Sequence, residues 1–511
     1  MCLRAHDTQD ALLEDEQTTK HVWRDYATEA SRVSRLGGPI SLQAALVFIS
    51  SLVSLAFAGH LGKLSLSQAV LALSAYNITG VSMLLGLASG METLCSQAYG
   101  AGNYMALGLV LQQALIISNL VFLAILALWT QAGPLLLLAG QEPEIVEGAV
   151  MYLQLSAPAL WCYVMAECLK RYLLAQGIVT PATIVTACSA ALAPLYNWLL
   201  VDVYDVGLAG AALANDAVQA TVLVGLAVYV LARDHCIKGT PQQTWPGWSV
   251  KCFHGWWSYL KLALPSVGAC CLEWWLYEGL ILMAGWFPNA DVAVAAMGVG
   301  FNTTALTYTI SLGVGGAAST RVGHELGSGK PKRAQLAATT VIGLEVMLMV
   351  VVVILGIALR DVWGYLFTSD PEVIDAIEYI LPLVFLSEIG DGLNGVCGGV
   401  MRGAGRQLLA SIENLITYWV LGLPLAILLG VHFNFGVEGL WWALCITTSV
   451  QGLAMLITVS AFDWQAEAKR ALLLLEQHDR AVEGEGEALL DGAVVPQEER
   501  PGGQGNFAQA V

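Results

Sequence analysis

Charge is what this 511-residue sequence has least of. Asp, Glu, Lys and Arg make up 12% of it, against about 25% in a typical soluble domain. So little charge cannot clothe a water-exposed surface of this size, and the apolar residues gather in runs long enough to cross a bilayer. Basic residues are the scarcest, 23 against 40 acidic ones for a net charge of -17. With no basic stripe to neutralise phosphates, nucleic acid is excluded as a partner. No CxxC pair occurs among the eleven cysteines, which lie mostly inside apolar runs. Neither a zinc site nor a disulfide framework is expected, and the cysteines read as small packing residues. No metal and no cofactor is expected. A secretory signal peptide is also missing: residues 1–35 are polar and of mixed charge, and the first apolar run starts near Gly37.

Twelve apolar spans are present, at about 37–59, 66–90, 107–130, 147–168, 179–201, 207–232, 259–286, 291–318, 335–358, 373–400, 408–431 and 436–461. Leu135–Gly140 is read as the end of the third. The chain is therefore expected to be an all-α polytopic protein embedded in a lipid bilayer. With the N-terminus in the cytoplasm, loops after even-numbered spans hold twelve Lys and Arg residues, Lys170, Arg233, Arg321 and Arg402 among them, while the opposite loops hold only Lys63 and Arg360. The positive-inside rule then places both termini in the cytoplasm. Asn-x-Thr triplets at Asn77 and Asn302 fall within spans, out of reach of glycosylation.

The chain also repeats itself. "SQAYGAGN" (96–103) matches "GHELGSGK" (323–330), "GLAGAALA" (207–214) matches "GVEGLWWA" (436–443), Gly177 answers Gly405, and Pro39 answers Pro265, all at offsets of 226–229. Two six-helix halves in parallel repeat are expected: an N-terminal tail at 1–35, a first lobe at 36–232, a linker at 233–258, a second lobe at 259–462 and an acidic tail at 463–511. Residues 464–511 hold nine acidic against four basic residues and are rich in Gly, Glu and Ala, which reads as disordered. Paired halves of this kind hold a substrate between them and rock to alternate access.

Acidic residues inside greasy spans mark function, because a charge there is costly. "GACCLEWWLYEGLILMAG" (268–285) carries Glu273 and Glu278. At the repeat offset of 226 these correspond to Val47 and Leu52, so the first half builds the same helix without carboxylates. Five positions apart, the two glutamates cannot share a helix face. Tyr277 lies one turn from Glu273, within reach of a hydrogen bond to it, and Trp274 with Trp275 offers an aromatic wall for a flat or cationic ligand. In "LSEIGDGLNGVCGG" (386–399), Glu388 and Asp391 share a face of a glycine-rich, bendable helix; pairing with Arg402 or an interhelical hydrogen bond is the structural alternative. Asp216 and Glu345 stand alone, Glu167 is matched to Lys170 and Arg171, and Glu413 is read as a cap of the eleventh span.

"LLGLASGMETLCSQAYGAG" (84–102), "CLEWWLYEGLILMAG" (271–285), "STRVGHELGSGKPKRA" (319–334) and "GGVMRGAG" (398–405) resemble the signature stretches of the multidrug and toxic compound extrusion (MATE) family, most closely its plant-type branch. The resemblance covers about residues 35–468. It implies a V-shaped pair of six-helix bundles, acting as a monomer, that exports small organic compounds in exchange for protons across the plasma or vacuolar membrane. Glu273 and Asp391 match the family's coupling acids, and Glu278 fits its pattern, while Glu388 is an addition. Asn77 and Asn302 match polar positions of the pathway, which Trp274, Tyr277 and Asn394 are expected to line with them. The first helix has Gln43 and no aspartate, and Asn302 stands where the animal branch tends to have a glutamate. A lipid-linked flippase would favour cationic residues in the cavity. An intramembrane aspartyl protease fails on the order of its motifs, with Glu at 388 and Asp205 in a loop.

Overall fold

The computed structural model describes residues 3–368 and 370–483. It consists of helices joined by short turns: α1 (Leu3–His60), α2 (Lys63–Gly100), α3 (Tyr104–Trp129), α4 (Pro143–Leu155 and Ala157–Leu174), α5 (Thr180–Val203), α6 (Leu208–Ile237), α7 (Trp256–Ala284), α8 (Ala290–Gly327), α9 (Pro331–Leu366), α10 (Pro371–Ala404), α11 (Gln407–His432), α12 (Gly436–Ser460) and α13 (Trp464–Glu483). Nine of the described helices are long and apolar enough to cross a membrane, and α4, bent by 43° at Ser156, makes a tenth. The two that fall short in apolarity, α8 and α10, are nevertheless 38 and 34 residues long and complete the expected twelve. They fall short because they carry the polar residues of the protein's interior.

Glycine in the left-handed region sets the turns, and these turns repeat. Positive φ occurs at Gly102 and Gly329, Gly177 and Gly405, and Gly207 and Gly436, at the offsets of the sequence repeat. Each ends or begins a helix where a Cβ would be strained. Asp216 of α6 accepts from the backbone N of Ala159 at 2.8 Å, satisfying an amide freed by the bend in α4.

Of three apolar cores, one joins Val33 of α1 to Ala317, Val341 and Val400 of α8, α9 and α10, and the other two divide the molecule. One gathers residues of the first six helices, including Leu84, Leu107, Leu160 and Leu226, and the other gathers α7 to α12 around Leu276, Phe385 and Trp441. Helix α7 belongs to both: Tyr259, Leu262 and Ala263 pack in the first core, and Leu276, Tyr277 and Leu280 in the second. Small residues let the halves meet backbone to backbone, as in membrane helix pairs generally. A Cβ on Gly86 would lie 2.5 Å from Val267 Cα, one on Gly313 2.5 Å from the Gly37 carbonyl, and one on Gly327 2.0 Å from the Gln97 carbonyl. Within the second half, Gly399 crosses Gly315 so closely that a Cβ would sit 2.2 Å from the carbonyl oxygen.

At the end of the bundle expected to face the cytoplasm, polar contacts tie the halves together. Arg402 of α10 pairs with Glu92 of α2 at 3.0 Å, and Glu92 also meets Arg171 at 3.3 Å. Thr93 Oγ1 donates to the Arg402 carbonyl at 2.5 Å and Gln97 Nε2 to that of Gly403 at 2.9 Å. Arg402 is thus engaged by the other half and not by an acid of its own helix.

Three expectations are corrected. Helix α1 begins far before Gly37, within the stretch read as a polar tail. Glu29, Val33 and Gly37 fall on one face toward α8, where buried Glu29 accepts from Arg321 at 2.6 Å. Leu135–Gly140 is not the end of the third span, because Ala132–Leu138 forms a separate short helix after a turn at Thr130. The start of the acidic tail is helical: Ala468, Ala471, Leu475, His478 and Val482 recur at three- and four-residue spacing and are all buried. Overall composition hid that stripe. Residues 484–511, the rest of the expected disordered tail, lie outside the described residues.

Helix α13 straddles the halves. Glu467 accepts from Arg406 Nη2 at 2.5 Å, Ala468 and Ala471 pack with Val400 and Val459, and Leu475 joins the core of the first half. Asn103 of the first half donates to Asp479 at 3.1 Å. His478 is 2% exposed, with neither ring nitrogen hydrogen-bonded among the described residues, and burial pushes it down to about 4.

Two outcomes follow. A histidine held below its ordinary value leaves docking unaffected above about pH 6.5 and opposes it increasingly as pH falls toward 4, by about 2 kcal/mol at pH 5. Amide exchange over residues 464–483 should therefore speed up at pH 5 relative to neutral pH, and His478→Leu should remove that difference; equal protection at both pH values would contradict it. Arg402→Ala should loosen the tied end. A cysteine at Ser96, a position now 1% exposed, should react with a water-soluble maleimide about tenfold faster in the R402A background, the effect of about 1.4 kcal/mol on an opening equilibrium. An unchanged rate counts against the tie.

Candidate functional site

The site lies where α7 passes from one core to the other. Glu273 sits at that crossing, partly accessible, with α8, α10 and α11 of the second half around it. Its hydrogen bond comes from Asn394 of α10, whose Nδ2 is 3.5 Å from Glu273 Oε2 and 3.2 Å from the Tyr418 hydroxyl. Asp391, one turn before Asn394 and 3% exposed, faces the same amide and the carboxyl of Glu273. Its Oδ1 has no hydrogen-bond partner among the described residues. The amide thus holds Glu273 and stands one turn from Asp391, and no described Lys, Arg or His forms an ion pair with either acid. Arg402 is near enough to influence Glu273 electrostatically, but its own pair is with Glu92.

The local sequence explains this arrangement. Glycines at 390, 392 and 395 bring α10 against α12, α9 and α8 in turn: a Cβ on Gly390 would lie 2.4 Å from the Thr448 carbonyl carbon, one on Gly392 2.7 Å from Met349 Cγ, and Gly395 presents its carbonyl to Gly315. Tyr418 lies in a π-helical stretch of α11, Leu415–Gly422, a local widening frequent at functional sites. Tyr277, Tyr308 and Tyr418 surround the acids with rings, and Tyr277 packs on Phe301 with centroids 5.8 Å apart.

Other expected site residues scatter. Glu278 is separated from Glu273 around α7 and accepts from Ser74 of the first half at 3.4 Å. Glu388 is 1% exposed and accepts from Thr307 of α8 at 2.6 Å. Tyr277 forms no hydrogen bond with Glu273, whose partner comes instead from α10. Trp274 packs against the first core, while Trp275 donates to the Ile78 carbonyl at 3.2 Å. Asn77 opens a π-helical turn, Asn77–Val81, and Asn302 donates to its own helix at Gly298, 2.9 Å away. Neither asparagine is hydrogen-bonded to the acids. Glu413 does not cap α11, which starts at Gln407; it accepts from Thr458 of α12 at 2.6 Å. Glu167 pairs with Lys170 and Arg171 as expected.

Sequence reasoning missed Tyr308, Tyr418 and Thr307, which carry no signal apart from their place in polar-speckled spans. It also set Glu345 aside as solitary. In the structure Glu345 is fully buried and accepts from Ser311 of α8 at 2.5 Å, within electrostatic reach of Asp391. Among the described residues no group of three or more His, Cys, Asp or Glu is arranged to hold a metal ion.

Comparison with known proteins agrees with this architecture. The MatE family model matches residues 39–199 and 265–428, once in each half. Protein DETOXIFICATION 53 of Arabidopsis thaliana is 36% identical over 87% of this chain and 90% of its own length. Multidrug and toxin extrusion protein 1 of Danio rerio is 33% identical over 88% and 75%. Among solved structures, the eukaryotic MATE transporter AtDTX14 superimposes with a TM-score of 0.84 at 31% identity, covering 88% of this chain and all of that one. A Vibrio cholerae MATE transporter, VcmN, shares the fold at 19% identity with a TM-score of 0.77. With the family pattern present in both halves of a twelve-helix bundle, this chain belongs to the MatE family of multi-pass membrane transporters.

Proposed function

We propose that the protein is a proton-coupled antiporter that exports small organic compounds by alternating access, with Glu273 and Asp391 as the coupling acids. One observation carries this reading. Two carboxyls within electrostatic reach of each other lie at the point where α7 links the cores of the two halves, one held by the Asn394 amide and the other with a bare oxygen, and neither has an ion-pair partner among the described residues. Two negative charges in that setting are costly, and a proton is the smallest species that relieves the cost. Partly accessible Glu273 faces the substrate route and Asp391 stands behind it. Deprotonated, the pair attracts a cationic or hydrogen-bond-donating solute; protonated, it lets the solute go. A shift of α7 relative to α10 changes the distance between the two acids, which links the proton to the movement of the halves.

The names of the relatives, extrusion and detoxification proteins, favour export of organic compounds. Glu278, joined to Ser74 across the halves, and Glu388 are assigned secondary parts in coupling. Asn394 orients the acids, and Trp274, Tyr277, Asn77 and Asn302 contribute to the solute route. We further infer a monomer with both termini in the cytoplasm, two lobes at residues 36–232 and 259–462 joined by a linker, and residence in the plasma or vacuolar membrane.

The test is transport in proteoliposomes under an imposed pH gradient, screened over a panel of cationic and anionic solutes. Glu273→Gln and Asp391→Asn should each lower gradient-driven flux at least tenfold while the purified variants remain monodisperse. Normal coupled flux in both variants would end this assignment.

A further inference from the structure

Behind the paired acids lies a second buried carboxyl pair that the proposed cycle does not use fully. Glu345 of α9 is 0% exposed and Glu388 of α10 is 1% exposed. The two are held alike. Ser311 Oγ donates to Glu345 Oε1 at 2.5 Å and Thr307 Oγ1 to Glu388 Oε2 at 2.6 Å, from hydroxyls one turn apart on α8. In each carboxyl the other oxygen, Glu345 Oε2 and Glu388 Oε1, is buried without a hydrogen-bond partner among the described residues. A third buried group, the Thr304 hydroxyl, lies against Glu388.

We propose that Glu345 and Glu388 form a second proton-carrying station, connected through Asp391 to the Glu273–Asp391 pair, so that each transport cycle moves protons at two places in the second half. This rests on the coupled antiport proposed above and extends it. Asp391 lies within electrostatic reach of both Glu388 and Glu345, which also sense each other. Gly392, the residue after Asp391, makes the room: a Cβ there would come within 2.6 Å of Glu345 Oε1 and 2.7 Å of Met349 Cγ. Any side chain at that position would part Glu345 from α10.

The repeat provides a control. At offsets of 227 and 228, Glu345 corresponds to Ser118 and Glu388 to Leu160, while Ser311 and Thr307 correspond to Leu84 and Gly80. The first half builds the same bundle without these acids or hydroxyls, so the bundle itself does not demand them. The titratable groups facing the pair are Asp391 and Cys397 of α10 and Tyr277 of α7. Helix α8 contributes only hydroxyls, and no described cation pairs with either carboxyl. A metal ion is a poor occupant, since the acids do not converge as a ligand set. A buried carboxyl with one bare oxygen is less costly as a neutral acid than as a carboxylate. The step is a proton passing between carboxyl oxygens, one O–H bond broken and one formed.

Infrared difference spectra of the purified full-length protein in nanodiscs, taken between about pH 9 and about pH 5, resolve the carbonyl stretches of acids that protonate in that range. Glu345→Gln and Glu388→Gln should each remove one such band, different from the bands lost in E273Q and D391N. Ser311→Ala, which keeps the carboxyl, should move the Glu345 band's midpoint by about one pH unit, and serves if E345Q does not fold. If neither E345Q nor E388Q removes a band, or the S311A midpoint stays put, the second station does not exist. That result alongside bands lost in E273Q and D391N overturns this inference alone and leaves the proposed function standing.

Discussion

A carboxylate inside a bilayer needs a partner, and the way this protein meets that need separates its acids into two kinds. Glu29 is held by Arg321, Glu92 by Arg402 and Arg171, and Glu167 by Lys170 and Arg171. These charges are answered and fixed, and they stitch helices together. Glu273, Glu388 and Glu345 accept only from neutral donors, and Asp391, Glu388 and Glu345 each keep an oxygen with no hydrogen-bond partner among the described residues. Unsatisfied buried carboxyl oxygens are expensive, and four of the five among the described residues lie in the second half, at Glu345, Glu388, Asp391 and Glu413 against Asp234, an asymmetry that calls for a functional reason.

The opposite ends of the site are governed by different physics. Where the halves meet near Arg402, ion pairs and main-chain carbonyls close the seam around glycines that allow backbones to touch. Deeper in, α7 passes from one core to the other, and its acid sits where neither core claims it. A seam of reversible polar bonds beside a shared helix permits two arrangements of the halves without unpacking either core.

Much of this was readable from residues alone. The repeat, the twelve spans and the oddity of Glu273 and Asp391 follow from periodicity, offset and the cost of burying charge. What was hidden depended on three-dimensional pairing. Glu345 read as solitary because Ser311 lies 34 residues away and Asp391 46. Arg402 read as a partner for its own helix because Glu92 lies 310 residues earlier and becomes its neighbour only when the halves close. The stripe of α13 was masked by an acidic composition averaged over residues that include many outside the helix. Aromatic neighbours such as Tyr418 gave no warning, since a tyrosine in an apolar span is ordinary.

The contact of Gly315 with Gly399 and Gly395 carries a mechanical consequence. Where two main chains bear directly on each other there are no long side chains to bend, and sliding by a fraction of a turn brings carbonyls into collision. Helices α8 and α10 are thereby geared into one rigid lever, and the hydroxyls of Thr307 and Ser311 travel with the acids they hold. The variable joint is then between this lever and α7, so in the proposed cycle movement of the halves would be read out as the gap facing Glu273.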